Sequence, residues 1–153
     1  MKILFVGPGN NHKYGGGFYY AFHRRLINGF IRSGHFVYAY SDRDTADYAL
    51  GVRQIGSWLA NKRLLDIAKE LRPEMMVLLL SYLITPQTVR YIRELVPGIK
   101  IAAICIDDID HERPAAQFRY LLEAADAGFA TTGGETLQDF AGSKPVAFIP
   151  HPI

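Results

Sequence analysis

A chain of 153 residues, 49% of them hydrophobic, is long enough to close one domain around a proper core. Its net charge of +2 supplies no basic stripe for a nucleic acid, and its single cysteine, Cys105, excludes an internal disulfide framework and points to a reducing compartment. The longest apolar run, residues 75–84, is interrupted by Ser81 and too short to span a bilayer, and no basic-then-apolar leader precedes Ile3. The expectation is a cytoplasmic protein, with peripheral contact to a membrane surface left open by composition.

In chain order, Ile3-Leu4-Phe5-Val6 reads as a buried first strand. Eleven residues follow, Gly7 to Gly17, with five glycines and Pro8, before a helical pattern of Phe18, Phe22, Leu26 and Phe30 that stops at Ser33-Gly34. A strand, a glycine-rich loop and a helix in that order turn backbone N–H groups and a helix dipole toward an anion such as a phosphate. His35 to Tyr40 is a second strand, ending at Ser41-Asp42, and residues 43–57 read as a loop with a short helix. From Asn61, Leu64, Leu65, Ala68 and Leu71 mark a helix stopped by Pro73. Met75 to Leu80 is apolar on both faces, hence central in a parallel sheet.

Thr85-Pro86 supplies an N-cap and a first-turn proline for a helix carrying Val89, Ile92 and Leu95, ended by Pro97-Gly98. Ile99 to Ile106 is a fourth strand. Arg113-Pro114 opens a helix with Phe118, Leu121, Leu122 and Ala125 inward. Ala127 to Thr131 is a fifth strand, Glu135 to Ala141 a short helix, and Val146 to Ile149 a sixth strand. The alternation predicts an α/β fold: a single Rossmann-like domain over residues 1–153, doubly wound, with a mainly parallel six-stranded sheet and helices on both faces.

Such sheets bind ligands beyond the carboxyl ends of their strands. The residues expected there are Asn10, Asn11, His12 and Gly15, Gly16 and Gly17 after strand one, and Ser41 and Asp42 after strand two. Ser81 and Tyr82 follow strand three, and Asp107, Asp108, Asp110, His111 and Glu112 follow strand four. Thr131, Thr132, Gly133 and Gly134 follow strand five, and His151 follows strand six. A dinucleotide fingerprint fails, because His12 stands at the third glycine position after Gly7-Pro8-Gly9 and the loop is too long. A Walker loop fails because Phe18 follows Gly17.

The run Asp107-Asp108-Ile109-Asp110-His111-Glu112 is the densest set of ionisable groups. It suits either a divalent cation held by oxygens or a general base acting on a hydroxyl. Asp110 and Glu112 read as dipole-favoured residues at the next helix, Asp107 and Asp108 as functional. His12 and His111 are the loop histidines able to act as base. His23, His35 and Cys105 read as structural, the aromatics of residues 18–22 as core, and Trp58 as either groove or packing.

Several of these stretches, in their order, resemble the N-terminal domain of GT-B glycosyltransferases. They are Lys2-Ile-Leu-Phe-Val, the loop closing on Gly15-Gly16-Gly17, and Ser33-Gly34-His35 into strand two. Leu71-Arg72-Pro73-Glu74 is similar to that family's lead-in to its central strand. Ala125-Asp126-Ala127-Gly128-Phe129-Ala130-Thr131-Thr132 resembles its Ala-Asp strand running to a Ser/Thr, and Phe148-Ile149-Pro150-His151-Pro152-Ile153 resembles its exit from the first domain. Asp107-Asp108 resembles the CgeB-like branch, with Ile109 in place of a usual proline.

The resemblance implies transfer of a sugar from a nucleotide-activated donor to an acceptor hydroxyl, in biosynthesis of a polysaccharide or glycoconjugate. The acceptor would sit on this domain, and a C-terminal donor-binding domain with no counterpart here would complete the enzyme, so the isolated chain is expected to be inactive. In that scheme Gly15, Gly16 and Gly17 approach the donor phosphates with Asn10 and Thr132, while Asp107, Asp108, His111 and His12 are the candidate catalytic groups. No tightly bound cofactor, metal or nucleic-acid partner is expected. Two alternatives are a metal-dependent GT-A transferase using Asp108-Ile109-Asp110 and a stand-alone α/β ligand-binding or regulatory module.

Overall fold

A computed structural model of the chain describes residues 1–9, 22–48, 53–142 and 144–151. Six parallel strands make one sheet: β1 (Lys2–Gly7), β2 (Phe36–Ser41), β3 (Met75–Leu79), β4 (Lys100–Cys105), β5 (Ala127–Ala130) and β6 (Val146–Phe148), in the order β2-β1-β3-β4-β5-β6. The order follows hydropathy. β1 and β3 are buried almost throughout and lie centrally, whereas the two edge strands expose Phe36, Tyr38 and Phe148. The described helices are α1 (Phe22–Arg32), α2 (Asp42–Tyr48), α3 (Arg53–Leu71), α4 (Pro86–Leu95), α5 (Glu112–Leu122) and α6 (Gly134–Gln138).

The strand register sorts side chains into two faces, because they alternate along each strand. One row runs Tyr40, Val6, Leu78, Ala103, Gly128 across the sheet. At one end of that row the Tyr40 hydroxyl donates to Ala60 O of α3 (2.8 Å). At the other end α5 presses so close that a Cβ on Gly128 would meet the Phe118 ring at 2.9 Å. The neighbouring row, Ala39, Phe5, Val77, Ala102, Ala127, faces the opposite side, where Ile27 of α1 borders a cavity shared with Phe5 and Ala39. Helices thus lie on both faces, and the fold is the expected Rossmann-like, doubly wound α/β arrangement.

Two stretches that carry the family resemblance do structural work here. Asp126 accepts from Arg93 of α4 (2.7 Å) and from Ile101 N (2.8 Å), fixing the approach to β5. Burial pushes its carboxyl up, but those two donors and the nearby Lys100 outweigh burial and hold it below the usual range. Arg72 closes α3 in the left-handed region (φ 47°), its N–H on Ala68 O (3.0 Å), and Glu74 N then reaches Lys2 O (2.9 Å).

Some boundaries differ from the expectations. Residues 43–57, expected as a loop with a short helix, hold α2 and the start of α3, which begins eight residues before Asn61. The polar first turns of both helices hide the apolar period there. Strand three ends at Leu79, because Leu80 turns to φ 49°. Strands two, four, five and six and the helix expected from Glu135 each shift or shorten by one to three residues. Phe18, the expected start of helix one, lies outside the described residues. Among the described residues, no helix is long and apolar enough to cross a membrane.

Candidate functional site at the carboxyl edge

The chain reverses its direction of travel across the sheet between β1 and β3, so the ends of those strands open the crevice where doubly wound folds take ligands. The backbones there are close: a Cβ on Gly7 would stand 3.0 Å from Leu79 O. Ser81, fully buried, donates to Val6 O (2.8 Å) and stitches the two strand ends together. Leu80 is held in its left-handed conformation while its carbonyl accepts from the Arg43 guanidinium (3.2 Å). Asn61 locks the rest of this loop. Its Nδ2 donates to Ser57 O (2.8 Å) and Leu83 O (2.7 Å), and its Oδ1 accepts from Thr85 N (2.9 Å) and Thr88 Oγ1 (2.7 Å). The expected Thr85 N-cap and Pro86 start are present, with Thr85 Oγ1 accepting from Thr88 N.

Beside the crevice, the end of β2 builds a second polar centre. Ser41 Oγ accepts from Gly9 N (2.9 Å) and Asp44 N (3.1 Å), which leaves its own proton to donate. Gly9 is obligatory here, because a Cβ would run into the Asp44 carboxylate and Ser41. Asp42 is wholly buried. One of its oxygens accepts from Arg43 N (2.9 Å), and the other has no hydrogen-bond partner among the described residues. Burial pushes this carboxyl up to about 6, opposed in part by the Arg43 charge and backbone N–H groups. Asp44 Oδ1 is likewise buried without a partner among the described residues. A cavity of about 230 Å³ opens beside it, between these loops and α1. A second cavity, of about 320 Å³, shares Ser41 and Asp44 and reaches Arg63 of α3.

The ends of β4 and β5 form the third part. Asp107, Asp108, Asp110 and His111 are all exposed. The Thr132 hydroxyl donates to Asp108 Oδ1 (3.3 Å) and accepts from Ile109 N (3.3 Å), so the loop after β5 steadies the loop after β4. Asp108 also takes Asp110 N (3.0 Å), and its other oxygen lies 3.9 Å from His111 Nε2. Asp110 accepts from Thr136 of α6 (2.5 Å) and so belongs to that helix rather than to the helix it was expected to favour. His111 is the N-cap residue of α5, without a side-chain cap bond, and Glu112 lies in its first turn. Among the described residues no three His, Cys, Asp or Glu side chains converge on a metal position. Behind this loop Cys105 is buried, its thiol directed to Asp107 O (3.6 Å). Burial, then the Asp107 charge, push the thiol up; burial, with Cys105 and Asp107 nearby, pushes the Tyr82 hydroxyl up as well.

The expected groups therefore separate. Asp108, His111 and Thr132 come together, and Asp107 adjoins them. Asn10, Asn11, His12, Gly15, Gly16 and Gly17 lie outside the described residues. His151 meets the edge of Phe22 at the start of α1, with ring centroids 5.3 Å apart. Trp58 is 63% exposed, with the Lys62 ammonium over its ring. The Ser41, Asp44 and His23 centre was missed as such, because its residues come from three separate elements. The only sequence signal for it was Ser41-Asp42 at a strand end. Comparison with protein-family models and with characterised proteins found no match to this chain.

Proposed function

We propose that this chain is the acceptor-side, N-terminal domain of a GT-B-type glycosyltransferase, working in the cytoplasm. It would help move a sugar from a nucleotide-activated donor to an acceptor hydroxyl. The ordered motifs of the sequence support the family, and the doubly wound fold is compatible with it. The observation that carries the chemistry is the pairing of Asp108 with His111. An exposed imidazole stands 3.9 Å from a carboxylate that Thr132 and Asp110 N hold in place, at the edge where ligands bind.

In this reading an acceptor hydroxyl approaches His111 from solvent. The imidazole takes its proton as the oxygen bonds to the anomeric carbon of the donor, and the bond from that carbon to the donor phosphate breaks. The Asp108 carboxylate stands 3.9 Å from the ring as the proton arrives. Binding of the donor nucleotide is assigned to a second domain, and the family resemblance assigns Gly15, Gly16 and Gly17 to its phosphates.

The test is a turnover assay on the polypeptide as cells produce it, with a panel of nucleotide sugars and saccharide acceptors. Asp108→Asn is expected to lower kcat about a hundredfold or more while leaving the unfolding midpoint unchanged. Unchanged turnover would contradict the assignment, and so would equal losses of turnover and stability. Sugar transfer by residues 1–153 alone would contradict the placing of the donor site elsewhere.

A further inference from the structure

We propose that the outer edge of β2 pairs antiparallel with the same edge of a second copy of this chain, joining the two sheets across a two-fold axis. Three observations carry it. The first is the direction of the backbone groups. β2 ends the sheet, and Phe36 N donates inward to Met1 O (3.0 Å). Successive residues of a strand alternate, so Phe36, Tyr38 and Tyr40 turn their N–H and C=O groups toward β1, and Val37 and Ala39 turn theirs outward. An outward row of donors and acceptors is the template that another strand completes.

The second is that the two edges of the sheet are treated differently. β6, at the far end, has three residues and lies between Pro145 and Pro150. Short length and proline are common means of blunting an edge. β2 has six residues, Phe-Val-Tyr-Ala-Tyr-Ser, with no charge, proline or glycine among them. On it Phe36 is 56% and Tyr38 43% exposed.

The third is self-complementarity, which selects a second copy as the occupant. Only odd-numbered residues of β2 turn their backbone outward, so an antiparallel pair matches odd with odd and even with even. Phe36 and Tyr38 of each copy then meet even-numbered residues of the other on one sheet face, as aromatic cross-strand pairs. The strand ends are complementary in charge. The amino end of β2 follows Arg32, the last residue of α1, and the carboxyl end runs into α2, which holds Asp42, Asp44 and Asp47 against Arg43 alone. That arginine is turned to Leu80 O across the crevice. Antiparallel pairing brings the Arg32 end of each copy toward the acidic helix of the other, whereas parallel pairing sets like ends together. The contact uses the β2 edge of both copies and therefore closes at two.

The exposed area sets the strength. Phe36 and Tyr38 together leave about one aromatic side chain's area, roughly 200 Å² per copy, uncovered, which places the contact among small, transient interfaces. β4 lies three places along the sheet from β2, so the pair leaves Asp108 and His111 open to solvent.

The test is sedimentation velocity of the chain from about 1 µM to 1 mM, with amide exchange followed by NMR at both extremes. A monomer–dimer equilibrium with Kd on the order of 100 µM is expected. The amides of Val37 and Ala39, fast to exchange when dilute, should gain about tenfold protection or more when concentrated. Tyr38→Lys puts a charge on the paired face, and Ala39→Pro removes an outward N–H; each should keep the chain monomeric throughout. If Ala39→Pro does not fold, Tyr38→Lys decides. A monomer at every concentration, assemblies that grow past the dimer, or a dimer indifferent to Tyr38→Lys would overturn the proposal.

Discussion

The two ends of the carboxyl edge handle polar groups in opposite ways. At the ends of β1, β2 and β3, polar side chains are inside: Ser81 and Asp42 are fully buried, and Asn61 spends both ends of its amide on the Leu83–Thr88 segment and Ser57. At the ends of β4 and β5, the carboxylates of Asp107, Asp108 and Asp110 are exposed, with Asp108 tied to neighbouring loop groups and Asp110 to Thr136 of α6. A buried polar group is costly unless satisfied, so the first region is fixed in one geometry and carries stability. An exposed carboxylate costs little to hold or to remove, so its substitution should leave folding nearly unchanged. The contrast predicts that substitutions at the ends of β1, β2 and β3 will be read in stability, and those at the ends of β4 and β5 in turnover.

The largest effect should come from Asn61→Ala. Four hydrogen bonds are lost, and Leu83 O and Thr85 N lose partners in a part-buried loop. A destabilisation of about 2–4 kcal/mol by denaturant titration is expected. A cost below about 1 kcal/mol would mean that the crevice wall is not held from α3.

Asp42→Asn should act in the other direction. The folded carboxyl lies near 6 against 3.8 as the ordinary value, so between those values the folded state holds a proton that the unfolded chain has released. Stability from this group is then present at low pH and falls as pH rises from about 4 to 6. The neutral amide should stabilise the protein at pH 7 by up to about 3 kcal/mol and have little effect near pH 3. Thermal unfolding of both proteins across that range decides it; a gain that does not change with pH would exclude the buried charge as its cause.

Thr132→Val should have the smallest effect on folding, under about 1 kcal/mol, since the bonds it removes are long and lie at an exposed loop. Loosening Asp108 should still lower turnover about tenfold in the active enzyme. Full turnover would make Thr132 a loop staple and nothing more.

Fold class was legible because the strands are apolar runs at regular intervals, and Met75 to Leu79 announces its central place by being apolar on both faces. Helix α4 was legible from two residues, Thr85 and Pro86, whose chemistry is local. The start of α3 was not, because residues 53–60 mix polar and apolar positions and settle as helix against α2 rather than by their own period. The site divides the same way. Asp108, His111 and Thr132 stand out as loop residues after strands, and the parallel register of β4 and β5 brings their loops together. Asp44 and His23 did not, since one sits in an opaque polar stretch and the other looks like an ordinary helical histidine. Their meeting depends on how α1 and α2 pack at the ends of β1 and β2.

The most direct measurement of the central claim, that this carboxyl edge holds a saccharide acceptor, is a map of where saccharides bind along the chain. Paramagnetic or chemical-shift mapping with spin-labelled or free mono- and disaccharides should place the ligand at the strand ends, over Gly7 to Gly9, Ser41, Asp44 or the loop from Asp107 to His111. Binding confined to the amino ends of the strands, or to the exposed edge at Phe36 and Tyr38, would contradict it.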